Sequence, residues 1–225
     1  DPLQAARACF PKDFADSRKR FLAAAKALKA TIRTYPNPNK GPNGEALATD
    51  TAWLGPKNAA KVLVLLSGTH GVEAFTGAGC IMDAFKTRPK LPAGTALLAI
   101  HAINPHGFAW IRRVTEEGVD LNRNFVDFAK PPANPGYDEL ADAILPPALE
   151  GPQFEAAQKR IAAYREKHGL AALHVAFSGG QYRHPKGLFF GGFEPTWSHR
   201  THAAIIADHA LAGRKHVAVI DYHTG

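Results

Sequence analysis

Three short, continuous apolar segments constrain the fold of this chain more than any other feature. They read KVLVLLS at residues 61–67, ALLAIHAI at residues 96–103 and HVAVIDY at residues 216–222. Apolar runs of this length, without polar alternation, are typical of strands buried in the parallel sheets of α/β proteins. The pattern predicts an α/β fold with a mixed, largely parallel central sheet that is flanked by helices.

Helix-length segments separate these strands, as a parallel sheet requires. We predict helices over residues 74–86 and 152–168, and a further helix that begins at Ser198. Ahead of the first strand, residues 14–32 combine an apolar stripe with a basic face, which predicts an amphipathic helix. Residues 35–45 contain three prolines and two glycines, and this composition predicts a loop or irregular arm.

The chain is long enough for one sizeable core, and we expect a single domain over residues 1–225. Within it, residues 1–45 would form the basic helix and loop arm, and residues 46–225 the core. The net charge is +7, but residues 1–40 hold 9 of the 27 Lys and Arg residues and only 3 of the 20 acidic residues. The basic charge is therefore interpreted as a solvated helix face, and we expect no nucleic-acid partner.

Neither a membrane span nor a leader peptide is visible in the sequence. No apolar run approaches the ~20 residues that cross a bilayer, and the N-terminus lacks a basic segment followed by an apolar one. We expect no membrane partner and a cytoplasmic location.

The two cysteines, Cys9 and Cys80, are interpreted as a reduced pair, although a single disulfide between them stays open. The oligomeric state also stays open.

Side chains that bind metals follow two of the predicted strands. His70 and Glu73 come directly after the strand at residues 61–67, and His223 follows the last strand. Since the carboxyl ends of parallel strands lie at one edge of a sheet, we expect these three side chains to meet there. Two histidines and one glutamate leave a fourth position for water on a zinc ion, which is typical of a catalytic site. One zinc ion is therefore the expected cofactor.

Two other polar residues lie within or at the end of these strands. His101 falls inside a buried strand, and we predict a core or rim histidine rather than a metal ligand. Asp221 alternates in phase with His223 and would point the same way on a strand. We expect it to have a structural role or a supporting role beside that ligand.

Two longer motifs separate the predicted ligands. Residues 104–108 read NPHGF and residues 119–125 read VDLNRNF, with Arg113 between them. Together with the segments SGTHGVE and DYHTG, and in the same order, these motifs resemble those of the zinc carboxypeptidases (metallocarboxypeptidases). The resemblance spans residues 67–225, and the opening region looks like a bacterial subfamily of unknown function. The superfamily is also related to succinylglutamate desuccinylase and aspartoacylase.

The resemblance implies a role for each matching residue. His70, Glu73 and His223 would be the zinc ligands. Arg113 would polarise the scissile carbonyl and stabilise its oxyanion. It is preferred to Arg112 because it lies nine residues before Asn122, the first asparagine of VDLNRNF.

The VDLNRNF motif supplies the remaining implied roles. Asn122 and Arg123 would bind the free carboxylate of the substrate, and Asp120 would hydrogen-bond the first zinc histidine. The resemblance places the general base, a glutamate, and the selectivity pocket downstream of the third ligand. We therefore expect both to lie beyond Gly225, and the fold to be incomplete at its C-terminus.

These observations predict a metallopeptidase-like, zinc-dependent hydrolase that cleaves an amide bond adjacent to a free carboxylate, with a zinc-bound water as nucleophile. Its substrate would be a peptide or an acyl amino acid. One alternative is an N-acyl amino acid deacylase of the succinylglutamate desuccinylase or aspartoacylase type. Another is a non-catalytic zinc-binding module, which would need no general base.

Overall fold

The computed structural model describes residues 1–88 and 90–224. Within these residues the strands form one sheet, and they are β1 (Thr31–Lys40), β2 (Ala46–Leu54), β3 (Lys61–Ser67), β4 (Thr95–His101) and β5 (His216–Tyr222). The helices are α1 (Pro2–Arg7), α2 (Phe14–Ala27), α3 (Ala74–Thr87), α4 (Pro105–Ala109), α5 (Pro135–Ile144), α6 (Pro152–His168), α7 (Leu170–Ser178) and α8 (Trp197–Asp208). Short 3₁₀ turns cover Gly71–Glu73, Leu121–Arg123 and Leu211–Gly213.

The strand order is β1-β2-β4-β3-β5. Strand β3 pairs in parallel with both β4 and β5, whereas β2 pairs antiparallel with both β4 and β1. The predicted α/β fold with a mixed central sheet flanked by helices is therefore confirmed. Its parallel part consists of the three apolar segments from which the fold was predicted.

The N-terminal segment differs from its prediction in two ways. Helix α2 ends at Ala27, earlier than predicted, and β1 then occupies Thr31–Lys40. The predicted loop arm at residues 35–45 is therefore wrong for its first half. Strand β1 lies at the edge of the sheet, and its register with β2 shifts between Pro36 and Lys40. An edge strand tolerates proline because one side of its backbone needs no partner, so the proline-rich segment still forms a strand.

Helices α3 and α6 confirm the helices predicted at residues 74–86 and 152–168. Gly169, at φ 87°, ends α6 and is followed by α7, which was not predicted from the sequence.

Both cysteines are free thiols. No helix within the described part of the chain is long and apolar enough to cross a membrane.

The chain divides into two compact units, which are Asp1–Glu116 with Trp197–Gly225, and Glu117–Thr196. The first unit contains the sheet, and Phe21 of α2 and Phe85 of α3 pack on its core. In the second unit, residues of α5 and α7 pack around the buried ring of Tyr137. The expectation of a single domain over the whole chain stays a prediction.

The parallel register brings the ends of β3, β4 and β5 to one edge of the sheet. Leu66 of β3 is the register partner of both Ile100 and Asp221. The chain leaves β3 through Gly68, whose φ of +77° favours glycine. A Cβ atom at Gly68 would lie only 2.8 Å from the Cβ of Ala102, so this tight exit also requires the absence of a side chain.

Candidate metal centre

His70, Glu73 and His223 converge at this edge of the sheet. His70 and Glu73 belong to the turn between β3 and α3, and His223 follows β5. Their potential ligand atoms all lie within 4.8 Å of one another. His70 Nδ1 is 3.0 Å from Glu73 Oε1, and His223 Nδ1 is 3.3 Å from Glu73 Oε2. Each carboxylate oxygen therefore faces the Nδ1 atom of one histidine.

The donor set fits a zinc ion. Two imidazole nitrogens and one carboxylate are ligands that zinc commonly takes. Ligand atoms at about 2.0–2.1 Å from a tetrahedral zinc ion lie about 3.3 Å from one another, and one ligand atom from each of the three residues lies within 4.8 Å of the others. His70 and Glu73 are buried, whereas His223 is partly exposed, so one side of the cluster is open to solvent. Three protein ligands leave the fourth position of a tetrahedral zinc ion for water or substrate, as in catalytic zinc sites.

Glu73 is held in its ionised form. Burial alone would raise the pKa of its carboxyl group, but other contacts outweigh burial and the pKa is lowered. The N–H of Thr224 donates to Glu73 Oε2 at 2.8 Å, and both histidines favour the charged form. An ionised carboxylate between two imidazoles is the state that a cation would meet.

A second carboxylate lies behind His223. Asp221 Oδ2 is 2.9 Å from His223 Nε2, on the ring nitrogen that does not face Glu73. The hydroxyl of Thr69 donates to both oxygens of Asp221, at 3.0 and 2.9 Å. The ends of β3 and β5 are thus connected by side chains on the far side of His223.

Arg113 is the positively charged residue predicted for the site, and it reaches the cluster. Its Nη1 atom is 3.6 Å from Glu73 Oε1, and 41% of its side chain is exposed. The backbone carbonyls of Arg112 and Arg113 accept the N–H groups of Val72 and Gly71, which tie this loop to the turn that carries Glu73. The guanidinium is therefore both next to the cluster and accessible to a substrate.

The other predicted residues belong to the second unit. Asp120 accepts the N–H of Asn122 at 3.0 Å and caps the 3₁₀ turn that contains Asn122 and Arg123. Arg123 Nη2 donates to the carbonyl of Ser178 at 2.6 Å, and its guanidinium lies 5.9 Å from the ring centroid of Phe189. The structure shows how these side chains are anchored, and their roles toward a substrate or a zinc ligand stay predictions.

Three contacts could not be predicted from the sequence, two at the metal cluster and one within the second unit. Thr69 and the backbone N–H of Thr224 act through contacts with residues about 150 positions away, which no local pattern reveals. In the second unit, buried Asn124 donates to the carbonyls of Gly191 and Glu194 and accepts the N–H of Thr196. The position of Asn124 within the VDLNRNF motif was the only sequence feature that pointed to it.

The fold and the cluster define an α/β chain with a candidate metal centre. Residues 10–225 match the DUF2817 family, described as "Protein of unknown function", and the chain belongs to that family. The expected membership of the wider zinc carboxypeptidase superfamily stays a prediction. No curated protein sequence matches the chain.

Several solved structures resemble the chain weakly. A glutaminyl cyclase from Porphyromonas gingivalis is 11% identical, with 97% of this chain and 79% of that chain covered and a TM-score of 0.34. A Zn-dependent exopeptidase from Parabacteroides distasonis is 13% identical, with 89% and 72% covered and a TM-score of 0.31. A glutaminyl cyclase from Fimbriiglobus ruber is 10% identical, with 43% and 41% covered and a TM-score of 0.32. The chain thus spans less than half of that last protein, and likenesses this weak assign no function.

Proposed function

We propose that this chain carries the metal centre of a zinc-dependent, carboxypeptidase-like hydrolase. The reaction would cleave an amide bond next to a free carboxylate, in a peptide or an acyl amino acid. One observation carries the proposal, namely the convergence of His70 Nδ1, the ionised Glu73 carboxylate and His223 Nδ1 beside the guanidinium of Arg113. The resemblance of the NPHGF and VDLNRNF motifs to those of zinc carboxypeptidases supports the choice of reaction.

The residues of the cluster have complementary roles in this proposal. His70, Glu73 and His223 would hold the zinc ion, which would lower the pKa of a bound water and polarise a carbonyl group. Arg113 would place its positive charge where the carbonyl oxygen becomes an oxyanion, and such a contact is stronger in the transition state than in the ground state. Its contact with Glu73 orients the guanidinium before substrate arrives.

Asn122 and Arg123 are proposed to hold the free carboxylate of the substrate. A guanidinium can grip a carboxylate through two parallel hydrogen bonds, which fixes the position of the adjacent amide bond. The bond from Arg123 Nη2 to Ser178 holds this side chain in one orientation within the second unit. Asp120 is proposed to hydrogen-bond the first zinc histidine, His70.

Zinc content tests the metal site directly. We expect the purified full-length protein to contain about one zinc ion per chain. His70→Ala should lose the ion, whereas His216→Ala, at an exposed histidine on β5, should retain it. If His70→Ala binds as much zinc as the unchanged protein, the site assignment is wrong.

Activity assays test the reaction. We expect the full-length protein to hydrolyse members of a panel of C-terminally free peptides or N-acyl amino acids. Arg113→Ala should lower kcat by about 100- to 1000-fold, the usual cost of losing an oxyanion donor, while Arg112→Ala should have little effect. Turnover of acyl amino acids alone would assign a deacylase. Binding of a carboxylate ligand without any turnover would identify a non-catalytic zinc module and refute the proposed hydrolase.

A further inference from the structure

We propose that Asp221 is a positioning residue of the metal centre, which fixes the tautomer and orientation of His223. This inference rests on the proposed function, because it assigns to Asp221 a role toward the metal that His223 would bind. Asp221 would not touch the ion or the substrate. It would act through the imidazole of His223, and Thr69 would in turn hold the Asp221 carboxylate.

The geometry on both sides of the His223 ring supports this role. Its Nε2 atom lies 2.9 Å from Asp221 Oδ2, and its Nδ1 atom lies 3.3 Å from Glu73 Oε2. A neutral imidazole has one N–H donor and one acceptor nitrogen, and an ionised carboxylate only accepts. With the N–H at Nε2 and bonded to Asp221, the lone pair of Nδ1 faces Glu73.

Asp221 lies near the end of β5, and His223 follows the strand directly. The 2.9 Å contact between Asp221 Oδ2 and His223 Nε2 places the two side chains on the same side of the backbone. The register of β5 against β3 sets Asp221 beside Leu66, close to the point where β3 ends. Asp221 can therefore reach both the ring of His223 and Thr69, which lies in the segment that follows β3.

Thr69 completes the arrangement. Its buried hydroxyl donates to both oxygens of Asp221, at 3.0 and 2.9 Å, and this contact restricts rotation of the carboxylate. Thr69 immediately precedes His70, so the segment after β3 carries one metal ligand and also supports the residue behind another. The proposed consequence is that the two histidines are held in a fixed relation to each other before a metal binds.

Zinc dissociation constants, measured by chelator competition on metal-free protein, test this role. Asp221→Asn keeps the size of the side chain but replaces the carboxylate by an amide that can also donate, so the His223 tautomer is no longer enforced. We expect zinc affinity to fall by about 10- to 100-fold, the range typical of groups behind a metal-binding histidine. Thr69→Val should weaken binding by less, and His223→Ala by more than either.

Two further measurements separate positioning from a structural role. The melting temperature of the metal-free Asp221→Asn protein should match that of the unchanged protein, because the Asp221 side chain is partly exposed. In the zinc-loaded protein, the Nε2–H proton of His223 should give a protected NMR signal that Asp221→Asn loses. Asp221→Glu, which restores a carboxylate, should recover part of the affinity.

The outcomes distinguish this inference from the proposed function. If the unchanged protein binds no zinc, the proposed function fails, and the role of Asp221 fails with it. If the unchanged protein binds zinc and His223→Ala does not, but Asp221→Asn binds as tightly as the unchanged protein, only the inference is overturned. An equal loss of stability and of affinity in Asp221→Asn would also overturn it, in favour of a structural role.

Discussion

His101 and the metal cluster lie at the same edge of the parallel strands, yet their surroundings differ. His101 is the last residue of β4, whereas His70 and His223 follow β3 and β5. The ring of His101 is fully buried, and its Nε2 atom is 2.7 Å from the hydroxyl of Ser17. His70 and His223 instead face the two oxygens of one ionised carboxylate, and His223 is partly exposed whereas His70 is buried like His101.

The difference shows that the partner group, more than position at the end of a strand, decides what a histidine can do. The rings of Phe14, Phe21 and Phe108 surround His101. Burial lowers the pKa of His101 from its ordinary 6.5 to about 4, and the nearby charge of Asp50 offsets this only in part. A buried neutral ring bonded to a hydroxyl stabilises the core. Two rings that face a carboxylate form a site for a cation.

The largest expected effect is that of Glu73→Gln on metal affinity. The amide keeps the shape of the side chain but has no charge and is a poor zinc ligand. We expect binding to weaken by roughly 3–4 kcal/mol, or several hundred-fold, the share of one ligand in a typical zinc site. Chelator competition measures this, and Glu166→Gln on the exposed face of α6 is the matched control. Unchanged zinc affinity in Glu73→Gln would mean that Glu73 does not bind the metal, and the proposed difference between this cluster and the surroundings of His101 would be wrong.

His101→Ala should have its effect on stability instead. The substitution leaves a cavity among the aromatic rings and deprives the Ser17 hydroxyl of its partner, so we expect the free energy of unfolding to fall by about 2–3 kcal/mol. Urea denaturation of the metal-free protein measures this loss. Zinc affinity of the folded variant should stay within a few-fold of the unchanged value. A variant that folds stably but loses zinc would place His101 in the metal site.

The same contrast explains which parts of the molecule could be predicted from the sequence. Strands β3 and β4 are apolar because they are largely buried, and β5 shows the same apolar pattern although its side chains are mostly exposed at the edge of the sheet. His70 and Glu73 follow β3, and His223 follows β5. Parallel strands end at one edge, so the cluster followed from the order of these segments alone.

Strand β2 could not be predicted in this way. Its central residues Thr49, Asp50 and Thr51 are polar but fully buried. Asp50 is tolerated there because Arg18 donates to it at 2.6 Å and Thr34 at 2.6 Å. These partners come from α2 and β1, and no local pattern shows that a buried charge is compensated by distant residues.

The environment of His101 also predicts how stability depends on pH. The unfolded chain binds a proton at His101 below about pH 6.5, whereas the folded chain resists protonation until about pH 4. Between these values the unfolded state binds more protons, so the free energy of unfolding falls as pH falls, by about 1.4 kcal/mol per pH unit from this residue. Urea denaturation at pH 7 and pH 5.5 should show this loss in the unchanged protein and in His216→Gln. His101→Gln should lack it, and an equal acid dependence in all three proteins would contradict the assignment.

The smallest expected effect is that of Ser17→Ala. The hydroxyl lies at 2.7 Å from His101 Nε2 and is buried in α2, so its removal leaves the ring without this partner and should cost about 1 kcal/mol of unfolding free energy. The same substitution in the His101→Ala background should cost much less, because the partner is already absent. This double-mutant cycle isolates the Ser17–His101 contact from the packing of the aromatic rings. Equal losses in both backgrounds would mean that the hydroxyl stabilises α2 independently, and that His101 is held by its aromatic neighbours alone.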